Sequence, residues 1–129
     1  MSPINYDEML KIRIRESTDA QYKHLIVKSL IALAIRIKYK HTLKHQKIYS
    51  EFPIAKGRIT DIYHENSKEK SVVCYEVQQI ISKEWFESTK RIYDTYKVYQ
   101  MNVDWVLVDL KKLDNDITKM WKQIRELII

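Results

Sequence analysis

A sequence of 129 residues supplies the core of one domain, which excludes two independent cores and a large multi-part enzyme. Hydrophobic residues at 45% and charged residues at 31% make the chain too apolar for disorder and too evenly charged for a membrane protein. The 23 Lys and Arg against 17 Asp and Glu leave a net charge of +6, a balance that fits a polyanionic partner such as nucleic acid and equally serves solubility.

The one cysteine, Cys74, precludes an intramolecular disulfide and a cysteine-based zinc site, and a reducing interior follows. Cys74 itself reads as a small buried residue. The most apolar stretch, Ser29 to Ile35 between Lys28 and Arg36, falls far short of the roughly 20 residues of a membrane span. The N-terminal residues, with Asp7 and Glu8 among scattered Lys and Arg, lack the apolar core of a signal peptide. The expectation is therefore a cytoplasmic protein with no membrane partner, residing in the host cytoplasm if its source is viral.

From Asp19 to about Lys40 the residues Tyr22, Leu25, Ile26, Ser29, Leu30, Leu33, Ala34 and Ile37 recur at helical spacing, with Ser17, Thr18 or Asp19 as cap. His41 to Gln46 reads as a polar connection. Lys47–Ile54 and Arg58–His64 alternate as two strands around a turn or bulge at Pro53–Gly57. A polar loop, His64 to Ser71, joins Arg58–Tyr63 to Val72–Gln78, so these two segments should form a hairpin. Within Val72–Gln78, alternation sets Val73, Tyr75 and Val77 on one face and Cys74, Glu76 and Gln78 on the other.

Ser82 caps a predicted helix carrying Trp85, Thr89, Ile92, Tyr93 and Tyr96 and ending near Gln100. Val103–Leu110 then reads as a parallel strand buried on both faces. A last helix begins near Asp114, with Ile117, Met120, Trp121, Ile124, Leu127 and Ile128 on its apolar stripe. It serves either as the last layer on the sheet or as the surface of a homodimer, with packing on the core preferred. The expected architecture is α/β in the order α-β-β-β-α-β-α, one domain over residues 1–129 with its core at about 19–110 and a C-terminal helix at about 114–128.

Two acidic residues fall on adjacent predicted strands, Asp61 in GRITDIY and Glu76 in CYEVQ. Paired in a hairpin they form an oxygen-ligand site for a hard divalent cation such as Mg²⁺, which keeps several waters and bridges to substrate phosphate. The plainer alternative is two solvent-facing positions on a hairpin. Against it stands the setting of Glu76, in a strand otherwise made of Val, Cys and Tyr that a helix and a parallel strand should cover, where a carboxylate needs a partner.

This order of elements, with Asp on one strand and Glu-x-Gln on the next, resembles the PD-(D/E)XK (restriction-endonuclease-like) nuclease superfamily, nearest in pattern to small archaeal or viral nucleases and to the nuclease-like domain of CoiA-type competence proteins. The resemblance covers about residues 19 to 110. It rests on His24 and Lys28 in the first helix, Glu51 ahead of Arg58 and Asp61, then Glu76 and Gln78, Ser82 opening the next helix, Tyr93 or Tyr96 within it, and Trp105 in the last core strand. It implies a restriction-endonuclease-like core and a Mg²⁺- or Mn²⁺-dependent deoxyribonuclease with Asp61 and Glu76 as metal ligands, Gln78 orienting water and Glu51 as a further catalytic acid. Glu16 on the first helix is a rival for that last role, and an edge-strand salt bridge is the plain reading of Glu51. Thr60 stands where the superfamily's Pro would be, and Gln78 replaces its Lys, an amide without charge.

Several cations are candidate DNA contacts. His24 and Lys28 lie one helical turn apart on one face as candidates to reach phosphate, the plainer reading of a lone helix His being a surface residue, and Arg58 pairs with Asp61 or contacts backbone phosphate. Lys40, Lys44 and Lys47 belong to a basic cluster at the end of the first helix, which tracks a phosphate backbone or is a solvated helix end. Lys83, Lys90, Arg91 and Lys97 make a second basic face. The alternatives to a nuclease are a catalytically inactive nucleic-acid-binding or assembly protein retaining the fold, and an interaction domain without nucleic acid.

Overall fold

The computed structural model describes residues 19–128, with side chains from Gln21 onward. Glu16, the cap candidates Ser17 and Thr18, and the segment containing Asp7 and Glu8 lie outside the described residues. The elements in chain order are α1 (Asp19–Lys38), β1 (Gln46–Ala55), β2 (Arg58–Asn66), β3 (Ser71–Gln78), α2 (Lys83–Thr95), β4 (Asn102–Asp109) and α3 (Ile117–Leu127). The four strands form one mixed sheet in the order β1-β2-β3-β4, with β1–β2 and β2–β3 antiparallel and β3–β4 parallel.

Local chemistry sets the turns. Gly57 adopts φ +73° in the tight β1–β2 connection, a backbone angle that costs glycine little. The register slips between Pro53 and Ala55, and Pro53 is tolerated because β1 is an edge strand that needs no second partner for its missing N–H. Strand β2 runs to Asn66, two residues beyond the predicted end. The Asn66 side chain is buried and its Oδ1 accepts from the N–H groups of Lys68 and Glu69, each at 3.1 Å, closing the turn into β3.

The sheet separates two apolar clusters. One holds Val27, Ile31 and Ile35 of α1 and Met120 and Ile124 of α3 against Ile48, Ile62, Val73, Tyr75, Val77 and Val108. The other holds Tyr93 of α2 against Ile54, Tyr63, Val72 and Cys74. Alternation along β3 thus assigns α1 and α3 to one face and α2 to the other. Lys38 Nζ donates to the Ile128 carbonyl at 3.0 Å, tying the end of α1 to the end of α3.

The buried stripe of α1 differs from the predicted one. Val27, Ile31, Ala32, Ala34 and Ile35 are buried, whereas Tyr22, Leu33 and Ile37 are exposed. Between Ile26 and Ile37 apolar residues occupy nearly every side of the helix, so periodicity alone does not fix which side meets the sheet. Strand β4, expected to be buried on both faces, is instead half-exposed with Val108 its one buried residue. It is an edge strand, and the helices cover it only in part. Helix α2 stops at Thr95 rather than near Gln100, because Tyr96 turns extended and packs with Val98 on the second cluster. Helix α3 starts at Ile117, capped by Asp116, whose Oδ1 accepts from Lys119 N at 3.1 Å.

Candidate functional site

The ladder between β2 and β3 ends at Ile62↔Tyr75, whereas β3 continues beside β4 as far as Gln78↔Asp109. Backbone groups of β3 beyond Tyr75 therefore face a widening gap, and buried backbone groups need partners. Side chains of β2 supply them. Asp61 Oδ2 accepts from the Val77 N–H at 2.7 Å, and the Thr60 hydroxyl donates to the Tyr75 carbonyl at 3.4 Å. Where the two strands part, their charged residues gather.

Glu76 is almost wholly buried. Its Oε1 lies 3.5 Å from Arg58 Nη2, and its Oε2 accepts from the Tyr93 hydroxyl. Arg58 also donates to Thr89 Oγ1 at 2.7 Å, and its guanidinium lies over the Trp85 ring, 5.4 Å from the centroid. Burial pushes the Glu76 carboxyl above the ordinary carboxylate range; the Tyr93 hydroxyl and the Arg58 charge pull it back, and the negative charge of Asp61 raises it further. Tyr93 is itself pushed up, by burial first and then by Cys74 and Glu76, which keeps it a proton donor to Glu76. Burial likewise lifts the Cys74 thiol to about 12, so Cys74 is not a nucleophile at neutral pH.

On the α1 side stand two parallel rungs. His24 Nε2 lies 3.3 Å from Asp61 Oδ1, and one turn later Lys28 Nζ lies 3.2 Å from Glu51 Oε1. The β1–β2 register pairs Ser50 with Ile62 and Phe52 with Thr60, which sets Glu51 opposite Asp61. Asp61 thus takes its partner His24 from α1, while Glu76 takes its partners from β2 and α2, and the negative charge of Asp61 acts on Glu76 across the gap. Arg58 pairs with Glu76 and not with Asp61, as one of its two sequence readings had it, because it enters from the β1–β2 turn on the side covered by α2.

The remaining predicted residues lie apart from this cluster. Gln78 donates from Nε2 to the Ile80 carbonyl at 3.0 Å, which anchors the amide to the following loop. Lys40 and Lys44 are exposed beyond the C-terminal end of α1, and Lys47 lies 3.7 Å from Glu65. Lys47 is four residues up β1 from Glu51, about 13 Å at the rise of a strand, so this basic cluster occupies the opposite end of the sheet from the acids. Lys83, Lys90 and Arg91 are exposed on α2 and Lys97 beyond it.

Thr60, Trp85 and Thr89 enter the site without having been predicted there. Thr60 stood out only as a departure from a motif, and Trp85 and Thr89 only as apolar-stripe positions of α2. Among the described residues no group of three or more His, Cys, Asp or Glu side chains converges closely enough to enclose a metal ion. Mg²⁺, though, is commonly held by one or two carboxylates, with water and substrate phosphate completing its shell. Among the described residues no helix is long and apolar enough to cross a membrane. No family model, curated protein or solved structure matches the chain. Fold and site together define a mixed α/β domain whose central strands part around two carboxylates, Asp61 and Glu76.

Proposed function

We propose that the chain is a metal-dependent nuclease of the PD-(D/E)XK type that hydrolyses phosphodiester bonds in DNA. The observation that carries this reading is that Asp61, whose Oδ2 accepts from the N–H of Val77 at 2.7 Å, stands next to the buried Glu76 where β2 leaves β3. Two like charges held together in a partly buried setting are relieved by a cation. The donor set fits Mg²⁺ or Mn²⁺, because both ligands are hard carboxylates and neither is a thiol or thioether. The order helix, three strands, helix, strand, with β4 parallel to β3, is the order the superfamily resemblance implies and supports the same reading.

Asp61 and Glu76 would hold the ion, which would supply Lewis-acid charge to activate water and shield the phosphate. The chain's own groups orient the two acids: Tyr93 and Arg58 fix Glu76, and the Val77 N–H and His24 fix Asp61. In hydrolysis a water oxygen forms a bond to phosphorus, one ester P–O bond breaks, and the departing oxygen takes a proton. Gln78 sits two residues beyond Glu76 with its Nε2 on the Ile80 carbonyl, and its role would be to orient the water through the amide oxygen. Arg58 is a second cation within the site, available to offset charge that builds on the phosphate.

A second reading, a nucleic-acid-binding protein without turnover, is favoured by the engagement of both Glu76 oxygens with Arg58 and Tyr93 and by the neutral Gln78. The two readings separate in one experiment, incubating the purified chain with duplex, nicked, branched and single-stranded DNA in Mg²⁺ or Mn²⁺. Cleavage that stops in excess EDTA is the expected result. Salt-sensitive binding with no cleavage of any substrate would establish the second reading instead.

A further inference from the structure

Phe86, in the first turn of α2, is a large apolar side chain that is 40% exposed. A single exposed aromatic needs no explanation, but this one ends a series. Its ring lies 5.8 Å from that of Trp105, Trp105 stacks on Tyr93 at 5.1 Å with the two planes 9° apart, and the Tyr93 hydroxyl donates to Glu76. A ladder of three rings therefore runs from the buried carboxylate to the surface, with Phe86 as its outer rung. Trp85, one residue earlier, lies under the Arg58 guanidinium, so the same turn of α2 also supports the cation of the site.

Cations flank the outer rung. Lys83, three residues before Phe86, and Lys90, four residues after it, are its neighbours on the helix surface. Both are exposed, and neither joins an ion pair among the described residues. The nearby acids Glu87 and Glu84 are turned about 100° and about 160° away from Phe86 around the helix. An accessible ring between two ammonium groups is complementary to an unpaired nucleobase between its two phosphates. A base inside a duplex already has both of its faces stacked and cannot use such a ring.

We infer that Phe86 stacks an unpaired nucleobase, so that the DNA taken by the Asp61 and Glu76 site is single-stranded or carries a single-stranded segment. The inference rests on the DNA reading above and names the form of DNA that reading leaves open. Lys83 and Lys90 contact the phosphates on either side of the stacked base, which sits beside the turn of α2 that carries Arg58. Negative supercoiling, which favours strand opening, supplies the same feature in plasmid DNA.

The experiment measures binding of the full chain to labelled oligothymidine and to a dumbbell duplex closed at both ends, by fluorescence anisotropy in EDTA so that nothing is cut. Wild-type protein should prefer oligothymidine. Phe86→Leu keeps an apolar side chain against Trp105 and removes the flat ring; it is expected to weaken oligothymidine binding by about 5- to 100-fold, the loss of one base stack, and to leave dumbbell binding unchanged. Phe86→Trp should keep the preference. Replacing Lys83 and Lys90 together by Gln should reduce the salt slope for oligothymidine by about 1.4, two single-strand phosphate contacts at about 0.7 each.

Should Phe86→Leu fail to fold, ultraviolet cross-linking of wild-type protein to oligothymidine carrying one 5-iodouracil decides instead: the adduct should map to Phe86, and an adduct elsewhere in the chain would overturn the inference. Wild-type oligothymidine affinity in folded Phe86→Leu, or an equal loss on oligothymidine and dumbbell, would also overturn it, reducing Phe86 to a cover for Trp105 and leaving the Asp61 and Glu76 site intact. Tighter binding of oligouridine than of oligothymidine would overturn it in favour of RNA. A wild-type chain that binds neither oligothymidine nor the dumbbell would overturn the DNA reading itself, and the inference with it.

Discussion

The two ends of the central hairpin each bury polar side chains, and they do so in opposite ways. At the turn end, Gln46 Nε2 contacts the Thr42 carbonyl and hydroxyl, each at 3.3 Å, which leaves Gln46 Oε1 to face His64 Nε2 at 2.7 Å. His64 therefore donates from Nε2, and burial, which pushes its imidazole down to about 4, keeps it neutral near pH 7; Tyr39 covers its ring, and its Nδ1 has no partner among the described residues. At the parting end, Arg58, Glu76 and Asp61 bury or half-bury ionisable groups, with His24 beside Asp61. A neutral network closes a sheet, whereas charge held at the point where strands separate is costly to keep and is the arrangement expected where a polyanion and a cation are to be handled.

The largest effect should come from the charged end. Asp61→Asn and Glu76→Gln keep the shape and remove the charge, and each is expected to lower Mg²⁺- or Mn²⁺-dependent cleavage by at least about a hundredfold, measured on plasmid DNA, while salt-sensitive DNA binding persists. Arg58→Met comes next. It leaves the buried Glu76 without its cation and should cost about 3–5 kcal/mol of stability near neutral pH, read by urea unfolding. Glu76 is raised in the folded state, so its ionisation works against folding: stability of the variant should be greatest below the unfolded carboxyl value near 4.5 and fall as pH rises through the folded one.

The neutral end should show the opposite pH sense. Burial, with the Lys38 charge adding, pushes the His64 imidazole down to about 4 from 6.5. The folded state thus disfavours protonated His64, and its contribution is complete above about pH 6.5 and lost as pH falls toward 4, up to about 3 kcal/mol. His64→Gln should flatten the unfolding free energy across that window; an unchanged slope would show that His64 does not govern acid stability. A smaller effect is expected at α2, where Ser82 Oγ accepts from Trp85 N at 3.0 Å and Ser82→Ala should cost about 1 kcal/mol. Reversing charge at Lys40, Lys44 and Lys47 tests whether the distant basic cluster takes part: DNA affinity should fall and its salt dependence flatten, with the fold retained.

Much of this contrast was legible in the residues. Alternation in β3 separated Val73, Tyr75 and Val77 from Cys74 and Glu76, and a carboxylate among apolar neighbours announced that Glu76 needed a partner. Ser82 could be read as a cap from its place before a run of helical spacing. The partners themselves were not legible, because Tyr93 reaches Glu76 across 17 residues and Thr89 reaches Arg58 across 31, and no local pattern encodes those distances. The phase of α1 was hidden by its nearly all-round apolar surface. The half-exposure of β4 depends on how far the helices extend over it, a property of the packed layers that a hydrophobic run does not reveal. Lys28 was read as a candidate phosphate contact, since spacing places it beside His24 but says nothing of its burial against Glu51.

The central claim, that Asp61 and Glu76 hold the cation that makes this fold a nuclease, is tested most directly by comparing wild-type protein and Asp61→Asn on supercoiled DNA in Mn²⁺, each with and without excess EDTA. The account predicts nicked or linear product from the wild type in Mn²⁺ alone and none in the other three conditions. Equal cleavage by Asp61→Asn, or cleavage that persists in EDTA, would contradict it.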